Sequence, residues 1–89
     1  MASLPLKRAR STYYRRKSRS IGRNIEFLLT FEEWYNWWLS NGVDMDSPRP
    51  FNGDTLCMCR KNDLGSYSLD NIYCATQRQN NRDRWSFVR

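Results

Sequence analysis

The sequence predicts an α+β protein of one small domain, and three observations carry that reading. Its 89 residues leave room for a single core, and four Trp, five Tyr and four Phe within a hydrophobic fraction of 39% make that core aromatic. Thr30 and Glu33 stand three residues apart at the head of an aromatic run, the spacing of a helix-opening capping box. Two β-like runs flank a Gly65-centred turn and lead into a second box, Thr76 with Gln79. Strand, turn, strand and helix in that order make a ββα unit, preceded by a short strand and an aromatic-rich helix. Residues 1–20 form a basic N-terminal arm, and residues 21–89 form the domain.

Taken in order, residues 1–12 lack apolar periodicity and read as arm. "YYRRKSRSIG" predicts a short helix from Tyr13 to Gly22, with Tyr13, Tyr14, Lys17 and Ile21 near one face. "NIEFLLTF" predicts a strand, since Ile25, Phe27 and Leu29 alternate with Glu26 and Leu28. The Thr30 box then opens a helix over about Phe31–Ser40, which lines up Phe31, Trp34, Trp37 and Trp38 until Asn41 and Gly42 stop it. An aromatic stripe at this spacing is core before it is a base-stacking platform. "DMDSPRPFNGD" reads as loop with a turn at Asn52–Gly53. Strands are expected over residues 55–60 and 67–76, the second kinked near Asp70, and a polar helix from Thr76 through about Arg84.

The net charge of +6 is unevenly distributed. Residues 1–23 hold eight bases and no acid, residues 24–59 one base and six acids, and residues 60–89 six bases and three acids. Positive segments on either side of a folded middle point to a polyanion, DNA or RNA, against the plainer reading of solubilising tails. The acid-free, Arg- and Ser-rich start is also the composition of an organelle transit peptide, but its removal would discard most of the positive charge.

Cys57, Cys59 and Cys74 make an odd set with no secretion signal ahead of them, so a cytoplasmic protein with reduced thiols is expected. No apolar run is long enough for a membrane span. Alternation puts Cys57 and Cys59 on one face of a strand, and Cys74 on the partner strand is a candidate to join them. With no His in the chain, a fourth ligand for zinc is missing unless Asp63 or a symmetry mate supplies it, and core thiols are the simpler reading. The same lack removes the usual imidazole base of nucleophilic catalysis.

What remains chemically suggestive is "GRNIEFLLTFEEW", "SPRP", "CMCRKNDLGSYSLDNIYCAT" and "QRQNNRDR", in that order. These segments, from about Ile21 to Arg84, resemble the small HNH endonuclease-like proteins encoded by bacteriophages, a branch of the ββα-metal nucleases. "YSLDNIYCATQRQNN" is the most specific part. In that family the first strand ends in an Asp–His pair, where Asp holds a divalent metal and His is the general base. A middle Asn orients the His, and a His or Asn on the helix completes the metal site. The matching positions are Cys59 and Arg60, then Asn71, then Asn80, or Asn81 if the helix is offset.

The resemblance therefore implies a divalent-metal-dependent DNA endonuclease or nickase, with Mg2+ as the expected cation. Arg60, Asn71 and Asn80 would be catalytic, and Asp63 and Asn80 would hold metal. Arg60 stays protonated, so its expected role is to grip the scissile phosphate through its planar fork. Cys59 puts a soft thiol where the family has a carboxylate, which Asp63 would have to supply. Lys7, Arg8, Arg10, Arg15, Arg16, Lys17, Arg19, Arg78, Arg82 and Arg84 are the expected phosphate contacts. The alternative is a relic of the same fold that binds nucleic acid, or regulates a host protein, without cutting. A weaker third reading is an RNA binder that stacks bases on Tyr13, Tyr14 and the tryptophans.

Overall fold

A computed structural model describes residues 6–48 and 54–88 of the chain, with side chains as far as residue 82. The Asn52–Gly53 turn and the side chain of Arg84 lie outside the described residues. Helix α1 spans Lys7–Gly22 and so begins six residues ahead of the Tyr13 start that periodicity predicts. Its inner face is Ala9, Tyr13 and Ser20, while Tyr14 and Ile21, expected on that face, are exposed. Ala9 and Ser20 are too small to register as an apolar pattern, yet their size lets the helix approach its neighbours. The first turn is satisfied from far along the chain, where Asp46 Oδ1 accepts the Ala9 N–H at 3.1 Å.

Helix α2 spans Phe31–Ser40 and has the expected capping box. The Glu33 N–H donates to Thr30 Oγ1 at 3.1 Å, and the Thr30 N–H donates to Glu33 Oε1 at 2.9 Å. Phe31, Trp34 and Trp38 are buried and Trp37 half-buried, as an aromatic core stripe requires. Tyr13 of α1 is the hub of that core. Its ring meets Phe27, Phe31 and Trp34 edge-on, each at 5.6 Å, and its hydroxyl donates to the Leu29 carbonyl at 2.6 Å. Burial, then the neighbouring Tyr14, Glu32 and Glu33, raises the Tyr13 hydroxyl pKa above its ordinary 10.0.

The strand expected over "NIEFLLTF" is reduced to one parallel bridge between Phe27 and Tyr67. Leu28 N–H donates to Tyr67 O and Tyr67 N–H to Glu26 O, both at 2.9 Å. The alternation survives, with Leu29 inward and Leu28 outward, but the partner segment turns away at once. Asn71 N–H closes that turn on Ser68 O at 2.9 Å. The expected strand over residues 67–76 is therefore divided, and only its second part, β2 (Ile72–Thr76), pairs with β1 (Leu56–Arg60).

The two strands are antiparallel, with Met58 opposite Cys74, Cys59 opposite Tyr73 and Arg60 opposite Ile72. Opposed residues share a face, so Cys74 lies with Met58, away from Cys57 and Cys59; the three thiols do not converge. None of the three is joined in a disulfide, and Cys59 is buried. Helix α3 (Gln77–Val88) follows β2 directly, and Thr76 Oγ1 accepts the Gln79 N–H at 3.1 Å. It continues four residues beyond the expected end at Arg84. The described residues thus form one small α+β domain of three helices and a two-stranded antiparallel sheet. Its core joins α1 and α2 to Ile72, Leu56 and Met58 of the sheet. Among the described residues, no helix is long and apolar enough to cross a membrane.

Candidate functional site

Arg60, the last residue of β1, turns its guanidinium onto its own chain. Nη1 donates to Gly65 O at 2.6 Å, Nη2 meets Asp63 Oδ1 at 3.3 Å, and the group lies 5.4 Å from the centre of the Tyr67 ring. The side chain is only 10% exposed, and its Nε is buried with no hydrogen-bond partner among the described residues. Asn71 braces the same loop from the other strand, donating through Nδ2 to Leu64 O at 2.8 Å and Ser66 O at 2.9 Å. Lys61 adds a bond from Nζ to Asp70 O at 2.8 Å. The Ser68 hydroxyl, then backbone hydrogen bonding and Lys61, holds the Asp70 carboxyl below its ordinary value.

Such bracing is needed because the loop is conformationally costly. Asn62 and Asp63 both have φ near +55°, and Gly65 has φ +79°. Glycine suits the positive φ at position 65, and a Cβ there would stand 2.9 Å from Asn71 Nδ2 and displace the amide that braces the loop.

Adjacent strand residues face opposite ways, and Cys59 accordingly points from β1 toward α3. Its thiol meets Asn80 Oδ1 at 3.3 Å, and the Cys57 thiol meets Gln77 Oε1 at 2.9 Å. Asn81 lies beside them, accepting from Gln77 Nε2 at 3.4 Å. Arg60, Asp63 and Asn71 thus gather around the loop after β1, whereas Asn80 contacts Cys59 at the α3 face. The soft Cys59 thiol does not fit a hard cation such as Mg2+, the Asn80 carbonyl offers one neutral oxygen donor, and Asp63 is already engaged with Arg60. Among the described residues there is no group of three His, Cys, Asp or Glu arranged to hold a metal ion.

The basic side chains are distributed over two helices. On α1, Lys7, Arg8, Arg15, Arg16 and Arg19 are exposed. Arg10 and Lys17 are half-buried, their charged groups 4.3 Å from the Phe31 ring centre and 5.9 Å from that of Tyr13. On α3, Arg78 is exposed and pairs with Asp54 at 2.8 Å, and Arg82 is exposed.

Between the second half of α1 and the start of α3 lies a cleft of about 350 Å³. Arg16, Arg19 and Arg23 line it on one side, Gln77 and Asn80 on the other, over Phe27, Tyr67, Trp34 and Trp38. Arg23 and Gln77 are two residues that sequence reasoning missed. The signal for Arg23 was its spacing: positions 16, 19 and 23 share one helical face. No protein-family model matches the chain, and neither a curated protein nor a solved structure does.

Proposed function

We propose that the protein binds double-stranded DNA through α1 and the exposed bases of α3, on an HNH-like ββα scaffold that no longer cuts. The observation that carries this reading is the make-up of α1. Its sixteen residues include seven Lys or Arg and no acid, and the helix is held to the core by Ala9, Tyr13 and Ser20. A folded helix offers those charges to a phosphate backbone at lower entropic cost than a loose arm would. Loss of cutting is supported by the engagement of Arg60 and Asn71 in loop geometry and by a soft thiol at Cys59, which does not suit a hard cation.

Fluorescence anisotropy with a short duplex at several salt concentrations tests the proposal. Replacing Lys7, Arg8 and Arg15 with Gln should weaken binding more than about tenfold and flatten the log–log salt slope by roughly 2.7, at about 0.9 per lost phosphate contact. An unchanged slope would remove the DNA reading of α1.

The contact between Cys59 and Asn80 favours a second reading, because it brings side by side the two positions that match metal ligands in the HNH family. On that reading the chain is an endonuclease or nickase. Incubating supercoiled plasmid with purified protein, with and without Mg2+ or Mn2+, separates the two. Nicking abolished by EDTA and by Asn80→Ala establishes the second, and intact plasmid under saturating binding establishes the first.

A further inference from the structure

We propose that the cleft between α1 and α3 binds one nucleotide unit, its base against the aromatic floor and its phosphate at the arginine side. The inference takes its ligand class from the nucleic-acid reading but concerns a different surface from the outer face of α1. The volume of about 350 Å³ lies at the lower end of small-molecule sites, so it admits a mononucleotide and excludes a duplex. Among the described residues, Arg16, Arg19 and Arg23 enter its wall and no carboxylate does, which favours an anion. Guanidinium groups suit phosphate oxygens because their forked donors match the geometry.

The floor adds a preference for a planar ring. Phe27 and Tyr67 are half-buried, with ring centres 5.7 Å apart and planes tilted by 45°, and Trp34 and Trp38 lie deeper. Two carboxamides supply the polar edge. The carbonyl oxygens of Gln77 and Asn80 already take the Cys57 and Cys59 thiols and one Gln77 N–H goes to Asn81, which turns the ligand-binding capacity toward the second Gln77 N–H and the Asn80 NH2 group. A base carbonyl or ring nitrogen is the complementary acceptor. The nucleotide has two possible sources, a free nucleoside monophosphate or a nucleotide turned out of a strand, and both present the same chemistry.

Trp34 and Trp38 provide the readout. Titrating the full chain with dAMP should give a saturable change in tryptophan fluorescence and shifts in the Gln77 and Asn80 side-chain amide signals. Adenosine and inorganic phosphate should each bind at least about tenfold more weakly, since each offers only half of the recognised unit. Arg23→Gln and Gln77→Met should each weaken dAMP by a similar factor. Tighter binding of a duplex with one unpaired adenine than of its paired counterpart, competed by dAMP, assigns the site to an extruded nucleotide; equal duplex binding assigns it to free mononucleotide.

A dAMP response no stronger than that of phosphate, or one insensitive to both substitutions, overturns the proposal. So does the absence of any response. Paired-duplex binding is measured alongside: if it persists while dAMP gives nothing, the cleft proposal fails and the DNA reading of α1 stands. If dAMP binds and the duplex does not, the reverse holds.

Discussion

Around α1 and α2, Tyr13, Phe31, Trp34 and Trp38 are buried against one another, and helix positions are set by the fit of rings. Around β1, β2 and their connection, position is set by polar side chains that grip backbone carbonyls: Arg60 on Gly65, Asn71 on Leu64 and Ser66, Lys61 on Asp70. Leu64, in the middle of that connection, is 69% exposed. The first region is stabilised by removing apolar area from water, which any well-placed large side chain contributes to. The second depends on individual hydrogen bonds with fixed geometry, which only particular side chains can make. The positions that the proposed HNH-like reading singles out, Cys59, Arg60, Asn71 and Asn80, fall in the second region and in α3 beside it. There, a substitution is expected to act first on local shape.

Four substitutions sharpen or break this contrast. The largest effect is expected from Trp34→Ala, at the centre of the aromatic region and 2% exposed. Urea unfolding should show a loss of about 3–5 kcal/mol, a large share of the stability of a small domain. A loss below about 1 kcal/mol would mean that the rings do not hold the helices. Asn71→Ala should cost about 1–3 kcal/mol, because it leaves two loop carbonyls without their donor. Its signature is local. Amide exchange at residues 61–66 should quicken while near-ultraviolet dichroism from the tryptophans stays unchanged, and a matching change in both would erase the distinction between the regions.

Tyr13→Phe comes next, at about 0.5–1.5 kcal/mol, since it removes one buried hydrogen bond and keeps the ring. It also carries a pH signature. The folded-state pKa of Tyr13 is raised, so the unfolded chain ionises first. The stability contribution is complete below pH 10.0 and is lost as pH rises from there through the folded-state pKa. Alkaline denaturation of Tyr13→Phe should therefore be shallower than that of the parent. Least affected is Arg78→Ala, whose partnership with Asp54 is solvent-exposed on both sides. Its midpoint of unfolding should stay within about 0.5 kcal/mol of the parent, and a greater loss would reveal a structural role for the start of α3.

Where the controlling interactions are close in sequence, the fold was legible. The box of Thr30 and Glu33 and the aromatic spacing that follows specify α2 from within a dozen residues, and the structure reproduces both. The start of α3 after Thr76 and the strand ending at Arg60 were readable for the same reason. Of the candidate site, the contact between Cys59 and Asn80 brings together two positions that the sequence had already singled out. The cleft was not legible, because its lining comes from stretches of chain spread between Arg16 and Asn80.

The remaining decisions belonged to tertiary structure, each because a distant partner outweighs local pattern. Ala9 enters the core only because Asp46 receives its N–H and Tyr13 anchors the next turn, which turns an apparent arm into the first half of α1. Phe27 finds Tyr67 and nothing further along, so a good strand pattern is left as a single bridge. Register decides the thiols, since a one-residue slip would move Cys74 to the other face, and the pairing of Met58 with Cys74 settles which. Arg60 has the chemistry to hold a phosphate, but the loop carbonyl of Gly65 and the carboxylate of Asp63 lie within its reach, and the folded chain uses the guanidinium there. Sequence by itself determined which groups were available, because composition, caps and spacing are local properties of the chain. Which of those groups met was decided by packing, because burial and hydrogen bonding reward proximity in space whatever the separation along the chain.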